Sequence, residues 1–318
     1  MDREEKQKEL IGIRKQSGMN RREFAREYGI PYQTITDWEL GHRRIPDYLL
    51  RLLRYKAALD AQSRYDAVSA HEQAGMKEVW KQLSLDYCCS VQDLEQGRGN
   101  LFTTYRPLEG RRRYNETDDV FLKILSVKGR LLVTGREDIV QILRETEADT
   151  PAPWFMESGN MRKLEALIRP CGYQIGMVHP FYLAFDQTSV RYDGYEIRIL
   201  ERAEIEQFRG DERFSNAFTF QQFAPDEIGV CASEDGRILG MAGASADSPI
   251  MWQIGIDVLE EARGRHLGRL LVSILKNEIL RRGRIPYYGA AISHTLSQNI
   301  AIDSGFRLGW TELVTSCL

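Results

Sequence analysis

Met251-Trp-Gln-Ile-Gly-Ile-Asp-Val258 and the segment after it, Leu259-Glu-Glu-Ala-Arg-Gly-Arg-His-Leu-Gly268, carry the decisive pattern of this chain. The first alternates, with Ile254, Ile256 and Val258 on one face and Gln253, Gly255 and Asp257 on the other, as in a strand covered on one side. From Leu267 onward Leu270, Leu271, Ile274 and Leu275 recur at helical spacing. Arg281 and Arg282 suit the C-terminal dipole of that helix and Gly283 can end it. A strand, a Gly-containing loop and a helix N-terminus therefore follow in series. The first N–H groups of a helix lack intrahelical acceptors and the peptide dipoles favour negative charge there, so the series is a ready anion site. Gly264 and Gly268 allow a diphosphate close to the backbone, and Arg263, Arg265 and Arg269 add cations. Neither G-x-x-x-x-G-K-[ST] nor G-x-G-x-x-G occurs, so the spacing points to a nucleotide-containing carrier of another kind.

Outward from this core, Tyr195-Glu-Ile-Arg-Ile-Leu200 alternates as a strand, and Ile228-Gly-Val-Cys-Ala-Ser233 and Ile238-Leu-Gly-Met-Ala-Gly243 flank Glu234-Asp-Gly-Arg237 as a β-hairpin. Pro286 opens a further strand, through Ala291. The expected fold is a mixed α/β (α+β) sheet unit behind an all-α N-terminal domain.

Residues 195–315 resemble the GNAT superfamily of acyl-CoA-dependent N-acyltransferases. Its signature [Q/R]-x-x-G-x-[G/A], after a strand ending in Val, is matched by Val258 and Arg263-Gly264-Arg265-His266-Leu267-Gly268, and its later helix ending in Gly-Phe by Ser297-Gln-Asn-Ile-Ala-Ile-Asp-Ser-Gly305-Phe306. The resemblance implies acetyl-CoA as co-substrate and no metal. It places the CoA pyrophosphate on the loop amides with Arg263, Gly264, Arg265, His266, Leu267, Gly268 and Arg269. The pantetheine arm runs along Ile256 to Val258, and His294 and Ser297 lie on the later helix. Three positions depart from the pattern. His266 replaces the first signature glycine, His294 stands where Asn is frequent, and Ala301 takes the place of the usual tyrosine acid. His is among the non-glycine residues that tolerate a left-handed backbone. Residues 76–192, with Trp80, Gly110-Arg-Arg-Arg-Tyr114 and Arg130-Leu-Leu-Val-Thr134, resemble more loosely the degenerate N-terminal half of a two-lobed subgroup; the catalytic lobe is expected over 193–318.

The implied reaction is attack of a primary amine on an acyl thioester in a splayed sheet, for which an alkylammonium must first lose a proton. Asp257, the one carboxylate on the 251–258 strand, is the candidate base, with Gln253 beside it; a backbone N–H of the same strand can hold the oxyanion. Tyr287 and Tyr288 are candidate acids for the thiolate. Phe214, Phe218, Phe220 and Phe223 fit an acceptor pocket or a core.

At the other end, Ser17-Gly18 ends one helix, Asn20 can cap a second, and Gly29-Ile30-Pro31 separates it from a third that carries Ile35 and Trp38 on one face and closes at Gly41. Ile45-Pro46 leads into a helix with Leu49, Leu50, Leu52 and Leu53. This pattern, with its Phe24-Ala25 pair and Ile35-x-x-Trp38-Glu39, resembles the helix-turn-helix of Cro/C1-type (XRE) regulators over about residues 5–60. The resemblance gives Tyr32, Gln33, Thr36 and Asp37 to base edges, with Gln33 for adenine, and DNA as a partner through 20–44, often as a two-fold dimer. Arg43 and Arg44 stand where phosphates would be. The bland alternative is a protein-docking module.

Residues 1–60 carry 13 basic against 10 acidic side chains, whereas the whole chain of 318 residues has 43 Lys and Arg against 46 Asp and Glu, which excludes a uniformly basic nucleic-acid coat. The expected organisation is a helix-turn-helix domain at 1–60, a polar linker or exposed helical extension at 61–75, and the two lobes. The five cysteines, Cys88, Cys89, Cys171, Cys231 and Cys317, include no C-x-x-C pair and read as reduced thiols. No apolar run reaches the roughly 18–20 residues that span a bilayer and the start is too charged for a signal peptide, so a cytoplasmic protein is expected. Function reads as acetyl-CoA-dependent transfer to a small-molecule or peptide amine, with a DNA-binding module; the alternative is a regulator whose acyltransferase domain senses acyl-CoA without turnover.

Overall fold

A computed structural model describes residues 3–17, 19–117, 120–190 and 194–318, with the side chains of all of these except 16 and 58–70. The chain forms two compact units, residues 1–71 and 72–318.

In the first unit, α1 (Arg3–Gln16), α2 (Arg21–Glu27), α3 (Tyr32–Glu39) and the start of α4 (Asp47–Asp86) enclose Leu10, Ile13, Phe24, Ile35, Trp38, Ile45, Leu50 and Leu53. Helix α2 begins where Asn20 Oδ1 accepts from the N–H groups of Arg22 and Glu23 at 2.9 and 3.0 Å and the Glu23 carboxylate accepts from Asn20 N–H at 2.9 Å. This reciprocal cap satisfies donors that a short helix cannot satisfy itself. Glu39, at the end of α3, is buried, and its carboxylate accepts from Arg14 Nε at 2.5 Å and Arg21 Nε at 2.6 Å. Burial would raise its pKa, but these two bonds outweigh it and hold Glu39 below the usual carboxylate range. The stretch 61–75, expected as a linker or helical extension, is helical within α4; its side chains through 70 lie outside the described residues.

The second unit continues from the end of α4 through α5 (Val91–Gln96), β1 (Leu101–Thr104), β2 (Leu122–Val127), β3 (Arg130–Gly135), α6 (Glu137–Glu147), α7 (Ala152–Phe155), α8 (Ser158–Ile168) and β4 (Tyr173–Leu183). It then adds β5 (Glu196–Glu201), α9 (Arg202–Ile205), β6 (Asp226–Glu234), β7 (Arg237–Ser245), β8 (Met251–Val258), α10 (Leu267–Arg281), β9 (Ile285–Gly289), α11 (Thr295–Asp303) and β10 (Arg307–Cys317). All ten strands join one sheet in the order β1-β3-β2-β10-β4-β9-β8-β7-β6-β5. The two expected lobes thus share a sheet, and the last strand lies between two strands of the first lobe. Among the described residues, only β1 with β3 and β8 with β9 are parallel pairs. Helix α10 buries Leu267, Leu271, Val272, Ile274, Leu275 and Ile279 against β6, β7 and β8. Helices α6, α7 and α8 cover β2 and β3. A central cluster on the face away from α10 joins Val79, Trp80 and Leu83 of α4 to Phe181, Tyr287 and Trp310.

Candidate active site

Strands β8 and β9 pair only from Met251 to Gln253 against Ile285 to Tyr287. Beyond that point β8 stays with β7 as far as Val258, while β9 ends at Gly289 against Phe181 of β4. The expected strand from Pro286 through Ala291 therefore starts one residue earlier and stops at Gly289. The edge of β8 from Ile254 to Val258 is left without a ladder partner on the β9 side. A cleft of about 880 Å³ occupies the gap.

One end of the cleft is the start of α10. His266 is its N-cap with φ 58° and ψ 15°, a left-handed conformation, and Gly264 also has positive φ, at 77°. Such turns direct successive amides to one side, and among the described residues no side chain caps the helix and the amides of Leu267, Gly268 and Arg269 have no acceptor within the protein. Ile256, Val258, Arg263, Gly264, His266, Leu267, Gly268, Arg269, His294 and Ser297 all line the cleft. Arg265 does not. It pairs with Glu234 at 2.7 Å and lies over the Tyr195 ring, because the turn at Gly264 and His266 sends it toward the hairpin. Its expected place at a diphosphate is corrected accordingly.

The expected base, Asp257, also lines the cleft. Asp257 accepts from Asn216 N–H at 2.8 Å, Asn216 Nδ2 at 2.6 Å and Ala217 N–H at 2.9 Å. These bonds hold the 214–218 segment flat on the sheet. That segment lies over Gly229, Gly243 and Gly255, aligned across β6, β7 and β8. A Cβ on Gly255 would come within 1.9 Å of Asn216 O and one on Gly243 within 2.0 Å of Ala217 O, so only glycine allows this approach. Phe214 and Phe218 are core residues here, whereas Phe220 and Phe223 are half-buried beneath Arg209 and Arg113.

Gln253 faces the cleft from the same side of the sheet as Asp257, and Tyr287 Oη donates to it at 3.0 Å. Tyr287 also bonds Asp247, which accepts from Ser245 Oγ at 2.6 Å. Burial pushes the Asp247 carboxyl up to about 6 against the pull of these hydrogen bonds. Behind them Arg112 is fully buried between Asp86 and Glu312, with Nε to Asp86 at 2.5 Å and Nη2 to Glu312 at 3.2 Å. Tyr288 points the other way, into the cleft, where its hydroxyl lies 2.8 Å from Ser297 Oγ; burial raises its pKa and keeps it protonated. Ala301, on the inner face of α11, is completely buried, and no hydroxyl comes from that position. His179 of β4 also lines the cleft. No motif pointed to it, because it lies in a strand of the other lobe.

In the first unit, Tyr32 and Gln33 are exposed on α3 and Thr36 and Asp37 half-buried, with Gln33 Nε2 donating to Asp37 Oδ1 at 3.0 Å and Thr36 Oγ1 to Tyr32 O at 2.9 Å. Arg43 and Arg44 are exposed just past the helix.

Residues 185–311 match the family model described as GNAT acetyltransferase, and residues 11–53 the model described as helix-turn-helix. No curated protein matches the chain significantly. Among solved structures, the chain is similar to a GCN5-related N-acetyltransferase-like protein from Streptococcus suis 89/1591 (14% identity over 66% of this chain and 88% of that one, TM-score 0.40). It is also similar to a GCN5-related N-acetyltransferase from Sphaerobacter thermophilus (18% identity, 50% and 56%, TM-score 0.38).

Proposed function

On a chain that carries a GNAT acetyltransferase domain over 185–311 and a helix-turn-helix over 11–53, we propose that the cleft binds acetyl-CoA, that the acetyl group passes to an amine, and that the helical unit binds DNA. One observation carries the enzymatic reading: the uncapped start of α10 and the unpaired edge of β8 open on the same cleft. Amides at a helix start suit a diphosphate, and Arg263 and Arg269 add charge beside them. An extended pantetheine arm carries amide groups that a bare strand edge can pair, which would bring its thioester toward Gln253. A backbone N–H of that edge suits the oxyanion. The neutral hydroxyl of Tyr288, braced by Ser297, is placed to protonate the departing thiolate in the absence of a tyrosine at 301.

The DNA reading rests on the exposed start of α3, where Asp37 steadies Gln33 for base contact, and on Arg43 and Arg44 for phosphates. Release of CoA thiol from acetyl-CoA with a panel of amines tests the transferase. Micromolar acetyl-CoA binding without turnover on any amine would favour an acyl-CoA sensor, a reading that the buried Ala301 supports.

A further inference from the structure

We propose that His179 is the base that removes the proton from the acceptor nitrogen. The inference rests on the transferase reading.

Sheet face decides which groups can serve. Across the β4–β10 ladder His179 stands opposite Glu312 and Phe181 opposite Trp310, so His179 shares the face of Phe181 and Trp310, away from α10. An acceptor entering from that face meets the thioester across the gap from the α10 side. The other histidines of the cleft, His266 and His294, begin α10 and α11 on the coenzyme side. Asp257 already accepts three hydrogen bonds from Asn216 and Ala217. Glu312, the register partner of His179, is consumed by Arg112, Tyr87 and Tyr114. His179 itself is half-buried and has no hydrogen-bond or ion-pair partner among the described residues, so a lone pair remains available. Burial lowers its pKa and it is neutral at pH 7.

In the step, the free amine nitrogen attacks the thioester carbon and the carbonyl pair moves to oxygen. His179 takes the proton from that nitrogen, and collapse breaks the C–S bond as the thiolate takes a proton from Tyr288. The proton on His179 leaves to solvent, which also reprotonates Tyr288.

The test is steady-state kinetics of the full chain with acetyl-CoA and, as acceptors, a dipeptide with a free N-terminus and a diaminoalkane, from pH 5 to 9. Expected is an acid limb of kcat/KM with a second inflection below about 6.5, beneath that of the amine's own proton loss. In His179→Ala, kcat/KM should fall about 100-fold or more, with the lower inflection lost, acetyl-CoA affinity unchanged and partial rescue by added imidazole. A variant within threefold of wild type with the lower inflection intact would overturn the assignment of the base. No turnover by the wild type at all would instead remove the transferase reading, and this proposal with it.

Discussion

Asp257 shows what a single residue in a strand cannot disclose. Its alternation placed it on the correct face, but the partners that bond its oxygens, Asn216 and Ala217, come from a loop about forty residues earlier. Asp257→Asn is expected to loosen the 214–218 segment and lower thermal stability while leaving the inflection of the pH–rate profile in place; loss of that inflection would return Asp257 to the chemistry. Asp247 allows a prediction with a definite sign. Its folded-state pKa, raised to about 6, exceeds the unfolded value, so its ionisation opposes folding above that pH, and the penalty fades as pH falls below the unfolded value. Asp247→Asn should therefore stabilise the protein at pH 7.5 by about 2 kcal/mol, with the gain vanishing near pH 4, as read by urea unfolding at both pH values. Glu39 has the opposite sign. Its depressed pKa contributes stability above the unfolded value that is lost as pH falls through the folded one. Removing the side chain in Glu39→Ala strands Arg14 and, in part, Arg21, and should cost roughly 3 kcal/mol in the stability of the first unit.

Elements were legible wherever local chemistry ends them. Asn20, Gly29 with Pro31, Gly41 and Gly283 are caps and breakers whose effect needs no distant partner, and the helix limits lie at or beside them. The alternation of β8 and the stripe of α10 were readable for the same reason. What could not be read was register: the glycine row 229–243–255 exists only once three strands align, and β10 reaches its place between β2 and β4 through pairing with strands more than a hundred residues away. The left-handed N-cap of α10 is a property of the element and can be tested there. His266→Gly relieves the conformation and should preserve acetyl-CoA affinity, whereas His266→Val forces a β-branched residue to positive φ at a cost of about 1–2 kcal/mol and should weaken binding about tenfold by calorimetry.

At the scale of the whole molecule, an acidic chain presents a slightly basic helical unit, so under the proposed DNA reading nonspecific attraction is weak and site reading would have to supply much of the affinity. Arg43→Ala with Arg44→Ala should weaken binding to all sequences alike and reduce the salt slope of a gel-shift titration by about 2, and Gln33→Ala should relax the choice of base instead. The acyltransferase unit stands or falls with the grip of the α10 amides on a diphosphate. Calorimetric titration of the full chain with acetyl-CoA and, in parallel, with S-acetylpantetheine, which keeps the thioester arm but has no diphosphate, separates that grip from every other contact. The account expects micromolar binding of acetyl-CoA and at least a hundredfold weaker binding of the truncated thioester. Equal affinities, or no heat with acetyl-CoA at millimolar concentration, would contradict it.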